Sequence, residues 1–280
     1  ADIPEHISLG EFARTIIRAN PFKGGTSEFA YPDMGGYDKI SKVFAEYITG
    51  KGSELNLNTQ IKKIEVKNGK VEGITLTNGE FVPSNCVIVT FPAYLAINQL
   101  FDNGVFDQKF IKSTNRLNKT TSVIEVHFAL SEKIDSRQVV FPVGKDYVCK
   151  GIFFISNITS SVSPPGEHLM IVGTPVSPDD AKNSQKITEV VTKIKEELSS
   201  IYPKFQQVLL WDRPKAWSLV ESVVKEPGLV WKNKMPHEVS QVKGLFFVGD
   251  STVSYGIGTD SAAHSSILCH PKIISYLKNT

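Results

Sequence analysis

The chain has 280 residues, with 31 basic and 29 acidic side chains and a formal net charge of +2. That is enough chain for one large domain or two smaller ones. The near-neutral balance argues against a dedicated nucleic-acid surface, and no run reaches the roughly 18 apolar residues of a membrane span. The composition, 41% hydrophobic and 21% charged, is ordinary for a globular protein. Three cysteines, Cys86, Cys149 and Cys269, are too few and too scattered for a disulfide framework or a thiolate metal cluster. With no secretory leader visible, a reducing cytoplasmic setting is expected, and peripheral membrane contact is left open.

The first predicted element is a short helix. Ser8 and Glu11 resemble a capping box, and Leu9, Phe12, Ile16 and Ile17 share one side. Pro32 and the pair Gly35-Gly36 then mark a tight loop. A helix follows over Tyr37 to Ile48, its apolar side formed by Ile40, Val43, Phe44 and Tyr47. Between Glu54 and Phe91 the pattern turns to short strands. Asn68-Gly69 and Asn78-Gly79 each sit between β-prone runs, which is the strongest short signal for a hairpin. Cys86 to Thr90 is a fully apolar strand, as in a buried parallel sheet.

Ala93 to Leu100 reads as a helical turn, and Phe101 to Asn118 as a polar and aromatic connection. Thr121 to Leu130 has a strong β signature with Glu125 and His127 on one face. Such a pair can do acid–base work, and it also suits a pocket rim or solvent. Strands are expected at Gln138 to Phe141, Val148 to Ser156 and His168 to Thr174, the last after the turn Ser163-Pro164-Pro165-Gly166. Ile187 to Ile201 is an amphipathic helix with Ile187, Val190, Val191, Ile194 and Leu198 facing a core. Phe205 to Trp211 reads as a strand, and Trp211 to Trp231 as an aromatic, proline-broken segment. There Trp217 is either a core residue or a cover for a substrate.

The chemistry concentrates in Gly244 to Ile273. Leu245 to Val248 is an apolar strand ending in Gly249-Asp250. A loop with Gly256 and Gly258 follows, and then a helix of small residues that Thr259 or Asp260 opens. Glycines permit tight turns and close backbone approach, and the N–H groups of a helix start suit an electronegative ligand. A carboxylate at a strand's end can accept from a ribose-like hydroxyl. Together these suggest a cofactor site at a sheet's carboxyl edge, although a plain βα turn gives the same pattern.

This stretch resembles the C-terminal signature of the FAD-dependent amine oxidase and phytoene desaturase superfamily. The resemblance covers about residues 30–270, and its sharpest motifs are the Gly35-Gly36 loop and Gly249-Asp250 with Gly258. It implies an α/β fold in two parts. One is an incomplete FAD/NAD(P)-binding Rossmann-like domain, at 32–95 and 243–280. The other is an α+β, mixed-sheet substrate domain, at 1–31 and 96–242. It implies FAD as cofactor, with Asp250 near the ribityl or pyrophosphate and the Gly258-Thr259-Asp260 backbone near the flavin C2 carbonyl. Thr59-Gln60-Ile61 would lie towards the adenine. Gly35, Gly36 and Trp217 would stand near the ring or substrate, with no catalytic residue assigned.

The G-x-G-x-x-G turn that opens such proteins is not present in these residues. FAD binding is therefore expected of the full-length protein and left open for this chain alone. The branch resembled is that of carotenoid desaturases and isomerases, which implies an apolar, polyene or isoprenoid substrate and leaves the electron acceptor open. A flavin amine oxidase is the alternative, and a non-catalytic binding domain with a vestigial nucleotide fold is another. No metal is expected, since His264, Cys269 and His270 match no usual zinc spacing.

Overall fold

The computed structural model describes residues 8–9, 32, 36–144, 146–221, 224, 226–229, 231–256 and 258–280. The predicted helix through Phe12, Ile16 and Ile17, and the predicted site residue Gly35, lie outside them. The described chain opens with α1 (Asp38–Gly50), then β1 (Ile61–Lys67), β2 (Lys70–Leu76), β3 (Phe81–Pro83) and β4 (Val87–Val89). Next come α2 (Ala93–Gln99), α3 (Gln108–Asn115), β5 (Thr121–Leu130), β6 (Val139–Val140), β7 (Gly151–Phe154) and β8 (His168–Val176). The chain closes with α4 (Ser184–Ile201), α5 (Phe205–Val208), β9 (Leu209–Glu221), β10 (Glu238–Val239), β11 (Val242–Phe247) and α6 (Gly258–Lys278). These elements form two compact units, one from 56–120 with 220–280 and one from 121–219 with the described part of 21–55. The division expected from sequence falls elsewhere: it set 96–120 and 220–242 apart from the glycine-loop strand, and 36–55 with it.

The first unit is built on β11. This strand pairs in parallel with β4, Leu245 opposite Val87, and with β2, Lys243 opposite Lys70; β10 lies antiparallel to it. The β1–β2 hairpin turns at Asn68 and Gly69, whose φ values of 52° and 69° are those of a type I′ turn. Ile64, Val71, Val89, Leu245 and Phe247 pack with Tyr94, Ala96 and Ile97 of α2 into one apolar core. The helix α3 replaces the irregular connection expected there. The Asp107 carboxylate accepts from the Phe110 N–H at 2.7 Å and caps it.

The second unit is an antiparallel sheet in the order β6-β7-β8-β5-β9. Its β5 and β8 run in unbroken register from Ser122 opposite Val176 to Leu130 opposite His168. The side chains of Ile124, Val126 and Phe128 alternate with those of the opposite face. They meet Val190, Ile194 and Leu198 of α4, which is capped by Asn183. Two sequence expectations are corrected here. Phe205 to Val208 is a helical turn, and the strand runs on from Leu209 to Glu221. Pro214 does not break it: β9 is the sheet's edge, where a proline is tolerated. The helix α1 forms as expected, yet none of its residues is buried.

Candidate functional site

The carboxyl edge of the β11 sheet gathers the glycine motif. Val248 donates its N–H to Val89 O at 2.9 Å, continuing the β4–β11 pairing, and the chain then leaves the sheet at Gly249. Gly249 has φ +137°, and a Cβ there would stand 3.4 Å from Thr90 O. The helix α6 begins at Gly258, with φ +51°, one residue before the expected opening at Thr259 or Asp260. Thr259 and Asp260 lie exposed in its first turn. Ile61 reaches the same edge by topology. It opens β1, opposite Leu76 at the end of β2, and β2 runs parallel to β11. Asp250 follows directly on Gly249 and is half-buried. Burial raises the Tyr94 phenol, and the Asp250 charge raises it further.

The loop between β11 and α6 is pinned from within. The Gly249 N–H donates to Ser265 Oγ at 3.0 Å, and Thr252 Oγ1 donates to Gly249 O at 2.7 Å. Ser254 Oγ donates to Thr252 O at 2.8 Å and lies 2.8 Å from Ser261 Oγ. The Tyr255 N–H donates to His264 Nδ1 at 2.9 Å. Small side chains at 261, 262 and 265 let the helix come this close. Buried hydroxyls with partners cost little, whereas an apolar replacement would strand the backbone groups they serve.

A second segment, Trp231 to Met235, grips the loop from outside. Met235 N–H donates to Ser251 O, and Val253 N–H returns to Met235 O at 2.8 Å. The Trp231 ring lies flat on Tyr255, centroids 3.3 Å apart and planes 8° off parallel. Lys234 is buried, 5% exposed. Its ammonium donates to Asp250 O at 2.8 Å, Ser254 Oγ at 2.8 Å and Ser261 Oγ at 3.2 Å. Neither Trp231 nor Lys234 stood out in the sequence, because a Lys before a Met-Pro pair reads as surface chain. His237, also buried, donates from Nδ1 to Phe247 O at 3.0 Å, and burial lowers its pKa.

The other predicted site residues belong to the second unit. Gly36 starts the turn into α1 with φ +65°. Trp217 stands on β9, 46% exposed, and donates from Nε1 to Glu125 Oε1 at 3.0 Å. His127 Nε2 donates to the same oxygen at 3.1 Å. The His127 hydrogen bond is the main cause holding the Glu125 carboxyl below its ordinary value. The face-sharing of Glu125 and His127 was legible from strand alternation, while the indole came from a strand thought to be broken. Among the described residues no group of three or more His, Cys, Asp or Glu is placed to hold a metal ion, and no helix is long and apolar enough to cross a membrane.

A parallel-strand sheet whose carboxyl edge carries a glycine loop and a helix start, with a separate antiparallel sheet backed by a helix, is the architecture of α/β oxidoreductases with a nucleotide part and a substrate part. Solved structures share it. An oxidoreductase from Methanosarcina mazei matches with TM-score 0.68 at 19% identity, over 85% of this chain and 54% of that one. Putrescine oxidase bound to putrescine matches with TM-score 0.62 at 16% identity, over 86% and 53%. Two curated relatives are the 15-cis-phytoene desaturase of Glycine max and the chloroplastic prolycopene isomerase of Daucus carota. The first is 26% identical over 97% of this chain and 48% of its own length. The second is 25% identical over 88% and 44%. The chain thus spans about half the length of these relatives. The model of the flavin-containing amine oxidoreductases matches residues 1–269, and the chain belongs to that family.

The residues present fit the flavin end of FAD. Gly249 and Gly258 adopt backbone angles that favour glycine and carry no side chain at the lip of the loop. A carboxylate follows at the strand end, and a helix starts beside it.

Proposed function

We propose that this chain supplies the flavin-ring side and the substrate side of an FAD-dependent oxidoreductase acting on an apolar, polyene or isoprenoid substrate. The observation that carries the reading is the Gly249-Asp250 loop. It sits at the carboxyl edge of a parallel pair, packed on the first turn of α6. The flavin would take a hydride equivalent from a C–H bond and pass the electrons to an acceptor. The protein's own part is to bind and orient. Asp250 accepts hydroxyls, the α6 start favours negative charge on the ring, and the hydroxyl network keeps the loop in one shape. The FAD-binding part is drawn on the 56–120 and 220–280 unit, and the substrate part on the sheet of the other. Two of the curated relatives are by name a prolycopene isomerase and a 15-cis-phytoene desaturase, which supports the apolar substrate.

A second reading, an amine substrate, draws on Glu125. Its carboxylate is half-buried, held ionised by His127 and faced by the exposed Trp217. That combination suits an ammonium group.

The test uses the full-length protein. A bound flavin spectrum is expected after purification. Under nitrogen, addition of a cis-polyene such as phytoene is expected to bleach it, and putrescine is not. Bleaching by the amine alone would replace the first reading with the second. A protein that neither carries nor takes up FAD would end both.

A further inference from the structure

We infer that Glu125 is a specificity-determining residue that reads a hydroxyl at one end of an isoprenoid chain lying across the open face of the second sheet, which deepens the apolar-substrate reading above and rests on it. All the groups involved belong to the unit that holds 121–219.

Glu125 is fixed, unlike a free surface carboxylate. Its Oε1 accepts twice, from His127 Nε2 at 3.1 Å and from Trp217 Nε1 at 3.0 Å. The two donors stand on different strands, β5 and β9, so the carboxylate has one orientation. Both donors use the same oxygen, and among the described residues none donates to Oε2. One oxygen is thus filled and its twin is left for a ligand, on a side chain 26% exposed. In water such an oxygen is solvated. An apolar chain laid over it removes that solvation, and only a donor on the chain restores the bond.

The ground beside Glu125 suits such a chain. Directly across from it on β8 stands Gly173, and across from that on β7 stands Gly151. Residues paired in this way share a face. A Cβ on Gly173 would have one neighbour within reach, Val123 Cγ2 at 3.8 Å, so the space above it is open. A Cβ on Gly151 would stand 2.8 Å from Phe153 Cε2, because the Phe153 ring lies over it. Ile171 and Pro175, two positions to either side of Gly173, border the gap along β8. The result is a trough two strand spacings long, roughly 10 Å, with apolar walls and its hydrogen-bond acceptor at the Glu125 end.

The charges select a neutral donor over a cation. Lys215 holds its ammonium over the Trp217 ring, 5.9 Å from the centroid. The His127 hydrogen bond is the largest cause keeping the Glu125 carboxyl below its ordinary value, and the Lys215 charge adds to it. An incoming ammonium therefore finds the seat on the indole taken and meets a like charge beside the carboxylate. An alcohol O–H meets no such repulsion and donates to an ionised acceptor, which is the stronger kind of hydrogen bond.

The experiment measures dissociation constants on the full-length protein for three probes that share one isoprenoid chain: geranylgeraniol, its methyl ether and geranylgeranylamine. Wild type is expected to bind the alcohol about tenfold tighter than the ether, as one hydrogen bond to a charged group provides, and the amine no tighter than the alcohol. Glu125→Gln keeps an oxygen for His127 and Trp217 but replaces the open one with an amide nitrogen that cannot accept. It should bring the alcohol down to the ether and leave the ether unchanged. Gly173→Val fills the trough where the fold leaves room, and it should weaken alcohol and ether by the same factor. Alcohol and ether bound alike by wild type overturn the inference. A Glu125→Gln loss shared equally by both probes also overturns it, because it marks a role in packing. An amine bound tighter than the alcohol overturns the hydroxyl in favour of the amine reading. Should Glu125→Gln not fold, the wild-type ratio and Gly173→Val still decide, since a folded Gly173→Val that binds as wild type does shows that the chain lies elsewhere. Wild type that binds none of the three refutes the apolar-substrate reading itself, so the two failures are distinct.

Discussion

Asp135 shows how a single residue's charge is held. Arg137 donates to both of its carboxylate oxygens, Nη2 to Oδ2 at 2.6 Å and Nε to Oδ1 at 3.0 Å, and Tyr202 donates to Oδ2 at 3.0 Å. The Arg137 hydrogen bond, the strongest cause, brings the carboxyl down to about 2 from 3.8. A depressed folded-state value means that the stabilisation is complete above the unfolded pKa, near 4, and is lost as pH falls through 2. Arg137 is exposed and its charge is screened, so the pair is worth about 1 kcal/mol, not the full shift. Asp135→Asn is therefore expected to lose about 1 kcal/mol in urea melts near neutral pH, and the gap from wild type should close near pH 2. A gap of the same size at both would mean that the charge is irrelevant. Lys234 is the opposite case at this scale. No neighbour in sequence signals its burial: the three oxygens named above that accept from it lie sixteen or more positions away.

At the scale of elements, α6 is where sequence and chemistry meet. Its start at Gly258 uses a φ of +51° that β-branched residues avoid. Gly258→Val is expected to cost roughly 1–3 kcal/mol of stability and to push the helix start away from the flavin. FAD affinity and the flavin midpoint potential of the folded full-length variant should both fall. A folded variant with neither changed would show that the helix does not address the flavin. The long elements were legible because their periodicity is long: ten residues in β5, eighteen in α4, and the Asn-Gly turn of the β1–β2 hairpin. The misses were short or local. With eight and four residues, α3 and α5 hold too few turns for an apolar stripe, and the Asp107 cap was the one visible cue for α3. The reach of β9 past Pro214 was hidden because edge position is a property of the sheet, not of the segment. The apolar side of α1 was legible, whereas its exposure was not: Phe44 is 65% and Tyr47 64% exposed.

At the scale of the molecule, the described residues form two apolar cores, one in each unit. Leu198 and Leu245 are both essentially buried, one in each. Truncating either to alanine is expected to cost about 2–5 kcal/mol. Hydrogen exchange should then quicken in 121–219 for Leu198→Ala, and in 56–120 with 220–280 for Leu245→Ala. Loss of protection spread evenly over both units by either variant would show a single cooperative core. The glycine-loop unit is also assembled from two stretches far apart in the chain. β4 meets β11 only after every strand of the other sheet has been made. During synthesis the edge formed by Val87, Ile88 and Val89 therefore lacks its β11 strand while an entire second sheet is made. Such an edge is a template for wrong pairing. A nascent chain that stalls before Gly244 is consequently the form of this protein most in need of a chaperone.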